Sequence, residues 1–404
     1  MSGQNLISVD DALAHILSRA PAITSVETVN LQDALGRVLA ENHYVPADVP
    51  PADNSAVDGY ALRKQDLKPG EPLPVSARIP AGQAPQPLAT GTAARIFTGS
   101  EIPEGADSVV MQERVDVSND QITVLAEVAE GQNIRRQGQD LNKGHLALAK
   151  GTPVRPQEMG LLASMGIPRV PVMVRLKVAI LNTGDELVDP GKPLAPGQIY
   201  NANQFTLLGL LSRAGCEVVL CETLKDTREA TRATLQRAAS QADLIITSGG
   251  VSVGEEDHVR AVIEESGELS LWRMASKPGK PLAFGTIGQK PLLGLPGNPA
   301  AVLVTMLVVG LPFIRKCQGQ TRSRVIGETL PADFRVDSAS IRREFVRARK
   351  EIRNGEACVA AFPNQSSGVL SSACWADGLA VVPEHTTIEP GDLVTYYSFT
   401  DLLA

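Results

Sequence analysis

From about residue 175 to residue 320, short apolar runs alternate with longer amphipathic segments. The apolar runs are LKVAIL, CEVVLC, DLIITS, PLAFGTI and PLLGLP, and the amphipathic segments are NQFTLLGLLSRAG, TREATRATLQRAASQ, EDHVRAVIEESG and NPAAVLVTMLVVG. Short, mostly apolar runs are typical of strands buried on both faces, and apolar residues at helical spacing indicate helices. Regular alternation of the two predicts an α/β domain built on a largely parallel sheet.

The flanking regions follow a different pattern. Residues 46–141 contain the strand-like runs ARIFTG, DSVVMQE and ITVLAEV, separated by Gly and Pro turns, which predicts a β-rich domain. Residues 321–404 return to short runs such as REFVRARK and GLAVVPE, which predicts a small C-terminal β-barrel or sandwich. Near the start, Ser8 opens an amphipathic segment and Asp11 follows it, as expected for a capped helix.

Composition narrows the class of protein. The net charge is −7, from 38 basic and 45 acidic residues, so the chain lacks the overall positive charge on which many nucleic-acid binders rely. The N-terminal sequence has no basic and apolar regions typical of a signal peptide. The apolar run from Ala300 to Phe313 is interrupted by Gly and Pro, and predicts a buried helix rather than a membrane span. Five scattered cysteines favour reduced thiols in the cytoplasm over a zinc site.

Three glycine-bearing turns follow predicted strands: ILNTGDEL, TSGGVSVGEED and LGLPGNPAA. In an open α/β sheet, ligands bind beyond the carboxyl ends of the strands, where such turns lie. Gly249 and Gly250 allow a ligand close to the main chain, and Asn298 before Pro299 predicts a capped helix start that suits an anion. The sequence has no GxxxxGK[ST], which excludes a P-loop. Connecting turns without a ligand are the alternative.

Acidic residues lie in or just after predicted turns of the same region: Glu186 beside Asp185, then Asp226, and Asp257 after two glutamates. Carboxylate oxygens from several loops are suitable ligands for a Mg²⁺ ion that bridges a phosphate. Acidic residues are also favoured at helix N-termini by the helix dipole, and Asp226 is equally suited to cap its helix. The residue pattern leaves both interpretations open.

Basic residues form a third constellation. The segment SKPGKPLAFG places Lys277 and Lys280 around a stiff Pro–Gly turn, which can present two cations to an anion beside a metal. The segment NIRRQGQDL carries two arginines and Asp140 in another predicted loop, and REFVRARK carries Arg347 on a predicted strand. Solvated turns and an outward-facing strand position are the alternatives for these residues.

Seven motifs occur in an order and spacing that resemble the molybdopterin molybdotransferase family, to which the E domain of gephyrin belongs. They are PPADNSAVDGYAL, RIFTGSEIPEGADSVVMQE, NIRRQGQD, LNTGDEL, TSGGVSVGEEDH, KPGKPLAFG and GLPGNP. The resemblance extends from about Ser8 to the C-terminus. It implies an enzyme that acts on adenylylated molybdopterin in the presence of molybdate and Mg²⁺, and that releases molybdenum cofactor and AMP.

The resemblance also implies a cytoplasmic, elongated homodimer of four-domain subunits. Its domains would be a linker and dimerisation domain (1–45 and 142–174), a β-rich domain (46–141), a central parallel-sheet α/β molybdopterin-binding domain (175–320) and a C-terminal β-barrel (321–404). The implied partners are the pterin substrate, molybdate, the molybdopterin adenylyltransferase and apo-molybdoenzymes, with no nucleic acid or membrane. The sequence does not discriminate molybdate from tungstate, because both are tetrahedral dianions of similar size.

Individual residues match positions that carry the family's chemistry. Those that match its oxyanion site are Lys277, Lys280, Arg347 and Ser367, the last chosen over Ser366. Those that match catalytic, Mg²⁺-binding carboxylates are Glu186, Asp226 and Asp257. The turn residues that would cradle the pterin and phosphate are Gly249, Gly250, Ser252, Pro296 and Pro299. Catalytic Asp58 and substrate-binding Thr98 and Asp140 match positions of the β-rich domain, which in a dimer would complete the site of the partner.

Three departures from the family pattern are visible, and none removes an expected acid or base; one of them is Glu256, which occupies a variable position. Arg273 stands where a lysine is common, which replaces a compact ammonium with a planar fork, and Val57 replaces a common methionine. Two other functions compete with the transferase: a scaffold or carrier that binds the pterin without turnover, and a phosphate-ester hydrolase that shares only the α/β domain. The motifs NSAVDGYA and NIRRQGQD, outside that domain, argue against the hydrolase.

Overall fold

The structure, a computed structural model, describes residues 6–225, 227–250, 258–266 and 268–404. It begins with helix α1 (Val9–Ser18). The Ser8 side chain accepts a hydrogen bond from the backbone N–H of Asp11 at 3.0 Å, which confirms the predicted helix cap. The apolar face of α1 joins the largest hydrophobic core, where it packs with residues of the central sheet and of the helices that cover it.

A β-rich region follows, flanked by short paired strands. Its elements are β1 (Val26–Asn30), β2 (His43–Tyr44), β3 (Asn54–Ser55), β4 (Gly59–Leu62), β5 (Leu73–Ile79), β6 (Ala93–Ile96), β7 (Ser108–Met111), β8 (Val115–Ser118), β9 (Gln121–Val124), β10 (Ile134–Arg135), β11 (Leu146–Leu148), α2 (Pro156–Ser164) and β12 (Arg169–Met173). Six strands form one sheet in the order β7-β4-β6-β5-β9-β8. Because β1 pairs with β12 and β2 with β11, residues 26–44 and 146–173 fold together although the sheet separates them in sequence.

The central region has the predicted alternation of strands and helices. Its elements are β13 (Lys177–Thr183), β14 (Leu187–Val188), β15 (Ile199–Tyr200), α3 (Ala202–Arg213), β16 (Glu217–Leu224), α4 (Arg228–Gln241), β17 (Leu244–Ser248), α5 (His258–Ser266), β18 (Leu269–Arg273), β19 (Ser276–Lys277), β20 (Pro281–Ile287), β21 (Lys290–Leu295), α6 (Pro299–Thr305) and α7 (Leu311–Cys317). The sheet order is β16-β13-β17-β21-β20-β18, and its first four strands are parallel. Strands β13, β17 and β21 are buried along most of their length, since apolar cores cover both faces.

The prediction of a parallel sheet is wrong at one edge. Strand β20 pairs antiparallel with β21, and β18 pairs antiparallel with β20, so the sheet is mixed. Only Gly288 and Gln289 separate β20 from β21, and Gly288 has a φ of +59°. So short a turn joins antiparallel neighbours, because a parallel crossover requires about a dozen residues or more.

The helical run from Pro299 to Cys317 comprises α6, a π-helical turn (Met306–Gly310) and α7. By length and composition this run could cross a membrane, but 83% of its most apolar window is buried inside the fold. Its side chains belong to the same core as the sheet and α1. The prediction of a buried helix for this apolar run is therefore confirmed.

The C-terminal region forms a third six-stranded sheet. Its elements are β22 (Glu328–Pro331), β23 (Arg343–Arg353), β24 (Glu356–Ala361), α8 (Ser371–Trp375), β25 (Gly378–Val382), β26 (Leu393–Ser398) and α9 (Phe399–Leu402). The strand order is β19-β23-β25-β26-β22, and β24 pairs with the far part of β23. A bridge between Ala332 and Val359 links the segment after β22 to β24. Strand β19 comes from the central region, so the two regions share a strand junction beside the cavity described next.

Candidate functional site

A cavity of about 850 Å³ lies where the carboxyl edge of the central sheet meets the C-terminal region. The central region contributes the turns that follow β13, β17 and β21, the start of α3, and the segment Lys277–Pro281. The C-terminal region contributes Arg342 and the loop that carries Gln365, Ser366 and Ser367. The three glycine-bearing turns therefore meet at one cavity, as expected for the ends of neighbouring parallel strands.

The turn after β17 requires glycine at two consecutive positions. Gly249 and Gly250 have φ values of +81° and +64°, in the left-handed region that side chains disfavour. A Cβ atom on Gly249 would lie 2.6 Å from Oγ1 of Thr183, and one on Gly250 would lie 2.9 Å from the same atom. Beneath the turn, the Ser248 hydroxyl donates to Oδ1 of Asn182 at 2.8 Å. Both glycines line the cavity, so the main chain here is open to a ligand.

The turn after β21 is fixed by a side chain from another helix. Nδ2 of Asn203, on the first turn of α3, donates to the carbonyl oxygen of Gly297 at 2.7 Å. Pro296 and Pro299 both line the cavity, and Pro299 is the first residue of α6 as predicted. Asn298 occupies the predicted cap position, but its side chain makes no capping hydrogen bond. The backbone N–H of Ala300 is already used, since it donates to the carbonyl oxygen of Ser367 at 3.0 Å.

Glu186 places a carboxylate on the cavity wall. The carboxylate lies against Gly184, where an added Cβ atom would be only 2.2 Å from Oε2 of Glu186. Gly184 has a φ of +136°, so the glycine of the LNTGDEL turn is needed both for the backbone angle and for the space. Of the predicted Mg²⁺ ligands, Glu186 is the one that the structure describes.

Three predicted site residues, two acidic and one in a turn, lie outside the described part of the chain. They are Asp226, Asp257 and Ser252. Among the residues it does describe, no group of three or more His, Cys, Asp or Glu side chains is placed to hold a metal ion. The predicted Mg²⁺ site therefore stays a prediction that rests on one described carboxylate and two residues beyond the description.

Three cationic side chains line the cavity: Lys277, Lys280 and Arg342. Lys277 is paired, because its Nζ lies 3.0 Å from each carboxylate oxygen of Glu344 on β23. Within the described residues, neither Lys280 nor Arg342 has an ion pair through its side chain. As far as the described residues go, the cavity thus combines one paired cation and two unpaired cations with the carboxylate of Glu186.

Arg347 does not line the cavity but lies behind its serine loop. Its side chain is only 1% exposed, and its guanidinium donates to Oγ of Ser372 at 2.9 Å and to the carbonyl oxygen of Ser366 at 2.9 Å. Burial lowers the pKa of Arg347 to about 10, so the side chain is charged at neutral pH. Gln365 fastens the same loop, since its Oε1 accepts from the backbone N–H of Arg347 at 2.9 Å. Ser366 and Ser367 both reach the cavity.

The three predicted residues of the β-rich region do not line this cavity within one chain. Asp58 and Thr98 are exposed and form a pair in which the carboxylate accepts from both the backbone N–H and the hydroxyl of Thr98, each at 2.7 Å. These hydrogen bonds lower the pKa of Asp58 below its ordinary value. Asp140 is exposed, and its backbone N–H donates to the carbonyl oxygen of Val49 at 3.0 Å.

Sequence reasoning missed several polar residues of the cavity wall, among them Asn201, Asn203, Arg342 and Gln365. The run NANQ before the apolar segment of α3 carried a usable signal, because Asn is a favoured helix cap. Asn201 does cap α3, with its side chain accepting from the backbone N–H of Gln204 at 3.1 Å. Gln365 lies beside the predicted Ser367 in the segment NQSSGVLSS, but it was not itself predicted. Arg342 lay in no motif, and it reaches the cavity because the C-terminal sheet packs against the central region.

Glycine turns, cations and a carboxylate at the carboxyl edge of an α/β sheet are typical of an enzyme that binds a phosphate-bearing small molecule. Comparison with protein families assigns the chain in three adjacent parts. Residues 7–166 match the MoeA N-terminal region (domain I and II). Residues 179–316 match a probable molybdopterin binding domain, and residues 329–399 match the MoeA C-terminal region (domain IV).

Full-length relatives agree with these matches. The chain is 40% identical over 403 residues to the molybdopterin molybdenumtransferase of Haemophilus influenzae, a match that covers 98% of this chain and 100% of that relative. It is also 40% identical over 325 residues to the enzyme of the same name from Nostoc, covering 77% of this chain and 74% of the relative. The crystal structure of the molybdopterin biosynthesis MoeA protein from Pyrococcus horikoshii OT3 superposes with a TM-score of 0.82 at 32% identity, over 98% of this chain and 100% of that one. The chain belongs to the molybdopterin molybdenumtransferase family.

Proposed function

We propose that this enzyme inserts molybdenum from molybdate into adenylylated molybdopterin, giving molybdenum cofactor with release of AMP. The observation that carries the proposal is that the glycine turns, Lys277, Lys280 and Glu186 line one cavity. Molybdate is a tetrahedral dianion, so it needs cations and N–H or O–H donors rather than metal-type ligands. A volume of about 850 Å³ is in the range of cavities that bury a small organic ligand together with an anion.

The cavity divides into parts suited to different groups of the substrates. Gly249 and Gly250 leave the main chain uncovered, which suits the close approach of a pterin phosphate. Lys280 and Ser367 are the groups that bind the oxyanion, with Lys277 beside them. Arg347 acts indirectly in this proposal, because it holds the loop of Ser366 and Ser367 from behind.

Mg²⁺ is the implied cofactor, with Glu186, Asp226 and Asp257 as its proposed ligands. Glu186 fits this role, because a carboxylate oxygen on the cavity wall is the donor that Mg²⁺ prefers. Bound there, Mg²⁺ would offset the negative charge of the phosphates and assist cleavage of the anhydride bond. Because carboxylates and phosphates repel each other, Glu186, Asp226 and Asp257 would act on the phosphates through the bound ion.

The active enzyme is a homodimer in this proposal, and Asp58, Thr98 and Asp140 complete the cavity of the partner subunit. Three findings support it. These residues lie off the cavity within one chain, and Asp58 is held in a defined geometry by Thr98. Tyr44 and Leu146 face each other across the β2–β11 pair and are 56% and 50% exposed, which leaves apolar surface in the proposed dimerisation domain. The adenylyltransferase that supplies the substrate, apo-molybdoenzymes that receive the product, and a cytoplasmic location belong to the same proposal.

Reconstitution of an apo-molybdoenzyme tests the function. Purified wild-type protein, supplied with adenylylated molybdopterin, molybdate and Mg²⁺, should activate the apo-enzyme, and K280Q should not. Lys290 gives a matched control: it lies at the start of β21, pairs with Asp243, and does not line the cavity. K290Q should therefore activate like the wild type. Tight binding of the pterin without any activation would favour a carrier instead.

A further inference from the structure

The ion pair between Lys277 and Glu344 is built into the junction of two sheets. Lys277 ends the short strand β19, which runs parallel to β23, and the backbone register places Lys277 opposite Glu344. Both oxygens of the Glu344 carboxylate lie 3.0 Å from Nζ of Lys277. Two of the three ammonium donors are thus used by this carboxylate, and one is left for a ligand.

The two partners differ in exposure. The side chain of Glu344 is 11% exposed, whereas that of Lys277 is 43% exposed and lines the cavity. Glu344 is not part of the cavity wall. The buried carboxylate of Glu344 therefore lies next to the ammonium group of Lys277 but outside the cavity wall. Such a charge is little screened by solvent, so it reduces the positive potential that Lys277 offers to an anion.

The neighbouring cations lack this compensation. Lys280 and Arg342 line the same cavity, and in the described part of the chain neither side chain has an acidic partner. Arg343, adjacent to Glu344 in sequence, pairs instead with Asp10 and Glu384. Among the residues that the structure describes, Lys277 is therefore the cavity cation that is paired with a carboxylate.

We propose that Glu344 is a counter-charge that limits how tightly the cavity holds oxyanions, and so sets its affinity for molybdate. The proposal rests on the oxyanion-binding role of the cavity given above. With Lys277 uncompensated, the cavity would present three cations that have no acidic partner among the described residues, and these would hold any tetrahedral dianion, including sulfate. With Glu344 in place, Lys277 still orients an oxyanion through its remaining N–H but adds little net charge. Glu344 does not contact the substrate in this arrangement, and it acts through Lys277.

Calorimetric titration with sodium molybdate and with sodium sulfate tests the proposal on the intact protein. E344Q keeps the size of the side chain and removes its charge, so both dissociation constants should fall roughly three- to tenfold. E344D keeps the charge and should stay within about twofold of the wild type by the same reasoning. E351Q is the matched control, because Glu351 lies on the same strand, about 24 Å further along at the usual rise per residue, and pairs with Arg349. E351Q should leave both constants unchanged.

A second pair of variants, K277Q and the double variant K277Q/E344Q, tests the counter-charge role of Glu344 in the absence of Lys277. K277Q leaves Glu344 uncompensated beside the cavity and should weaken molybdate binding at least tenfold. Adding E344Q to K277Q should restore most of that loss, whereas a merely structural role for Glu344 predicts no recovery. The proposal is overturned if E344Q binds either oxyanion with unchanged or weaker affinity, or if the double variant is no better than K277Q. If the wild type binds oxyanions but K280Q binds them equally well, the proposed function fails instead.

Discussion

The guanidinium of Arg347 donates to the carbonyl oxygen of Ser366 at 2.9 Å, and so a buried cation holds the serine loop against the cavity. The same side chain reaches Ser372 at 2.9 Å. Arg347 also fixes the loop through its main chain, which exchanges hydrogen bonds with Gln365 at 2.9 and 3.0 Å. Even a conservative change at Arg347 should therefore alter the position of the loop that carries Ser367, although Arg347 does not line the cavity.

R347K should destabilise the protein and weaken molybdate binding together. Lysine keeps the charge, but it lacks the planar fork that serves Ser372 and Ser366 at once. We expect the free energy of unfolding in urea to fall by about 1–3 kcal/mol, since buried acceptors lose their donors. The control is R349K, at an exposed position two residues further along the same strand. Lysine keeps the positive charge that pairs with Glu351 and lies over the Trp375 ring, so R349K should change stability by less than about 0.5 kcal/mol. If R347K were as stable as R349K, the positioning role would be wrong.

G249A should be more damaging than an alanine at an equally left-handed but open glycine. Gly249 and Gly191 have φ values of +81° and +94°, and only at Gly249 would the new Cβ atom collide with Thr183. Both variants incur the cost of the backbone angle, about 1–2 kcal/mol. G249A should cost about 1–3 kcal/mol more in urea unfolding, because Thr183 must shift. Equal losses in the two variants would contradict the close packing of this turn.

T98V should raise the pKa of Asp58. Two hydrogen bonds from Thr98 keep that pKa below its ordinary value of 3.8, and valine removes the one from the hydroxyl. Since the folded pKa is the lower one, the stabilisation is present above pH 3.8 and is lost as the pH falls through the folded pKa. T98V should therefore lose less stability on acidification than the wild type. NMR titration of the carboxyl carbon measures the pKa directly, and T98S, which keeps the hydroxyl, should titrate like the wild type.

Mixing two inactive variants tests whether Asp58 serves the partner subunit. In a D58N/K280Q heterodimer, the cavity with Lys280 intact would receive a normal Asp58 from its partner, so one of the two sites would be complete. An equal, fully exchanged mixture should regain about a quarter of wild-type activity, because about half of the dimers are mixed. Each variant alone should stay inactive. A mixture that also stays inactive, with mixed dimers confirmed by native mass spectrometry, would place Asp58 outside the partner's site.

Much of the site could be predicted because it depends on local chemistry. The turns at Gly184, Gly249 and Gly250 need positive φ values, which favour glycine. Glycine after an apolar run therefore marks these turns in the sequence. The alternation of buried strands and amphipathic helices then places those turns at one edge of the sheet. Lys277 and Lys280 were recognisable because a short Pro–Gly turn separates them.

What sequence reasoning missed depends on how distant segments meet. Arg342 and Gln365 line the cavity only because β19 joins the C-terminal sheet, a pairing that no local pattern announces. Arg347 lies on a strand, where alternation alone gave no sign that the side chain would be buried. The antiparallel pairing of β20 and β21, by contrast, could have been predicted from the sequence. A glycine-bearing turn of two residues joins them, and so short a turn indicates a hairpin whatever the apolar content of the strands. Domain edges and the roles of the site residues stay predictions.

The most direct test of the function is the release of AMP from adenylylated molybdopterin by the purified protein with Mg²⁺, measured with and without molybdate. The transferase predicts release that depends on molybdate, with AMP and molybdenum cofactor formed in equal amounts. Release at the same rate without molybdate would indicate a phosphate-ester hydrolase. Binding of the pterin with no release under either condition would contradict catalysis altogether and leave a carrier.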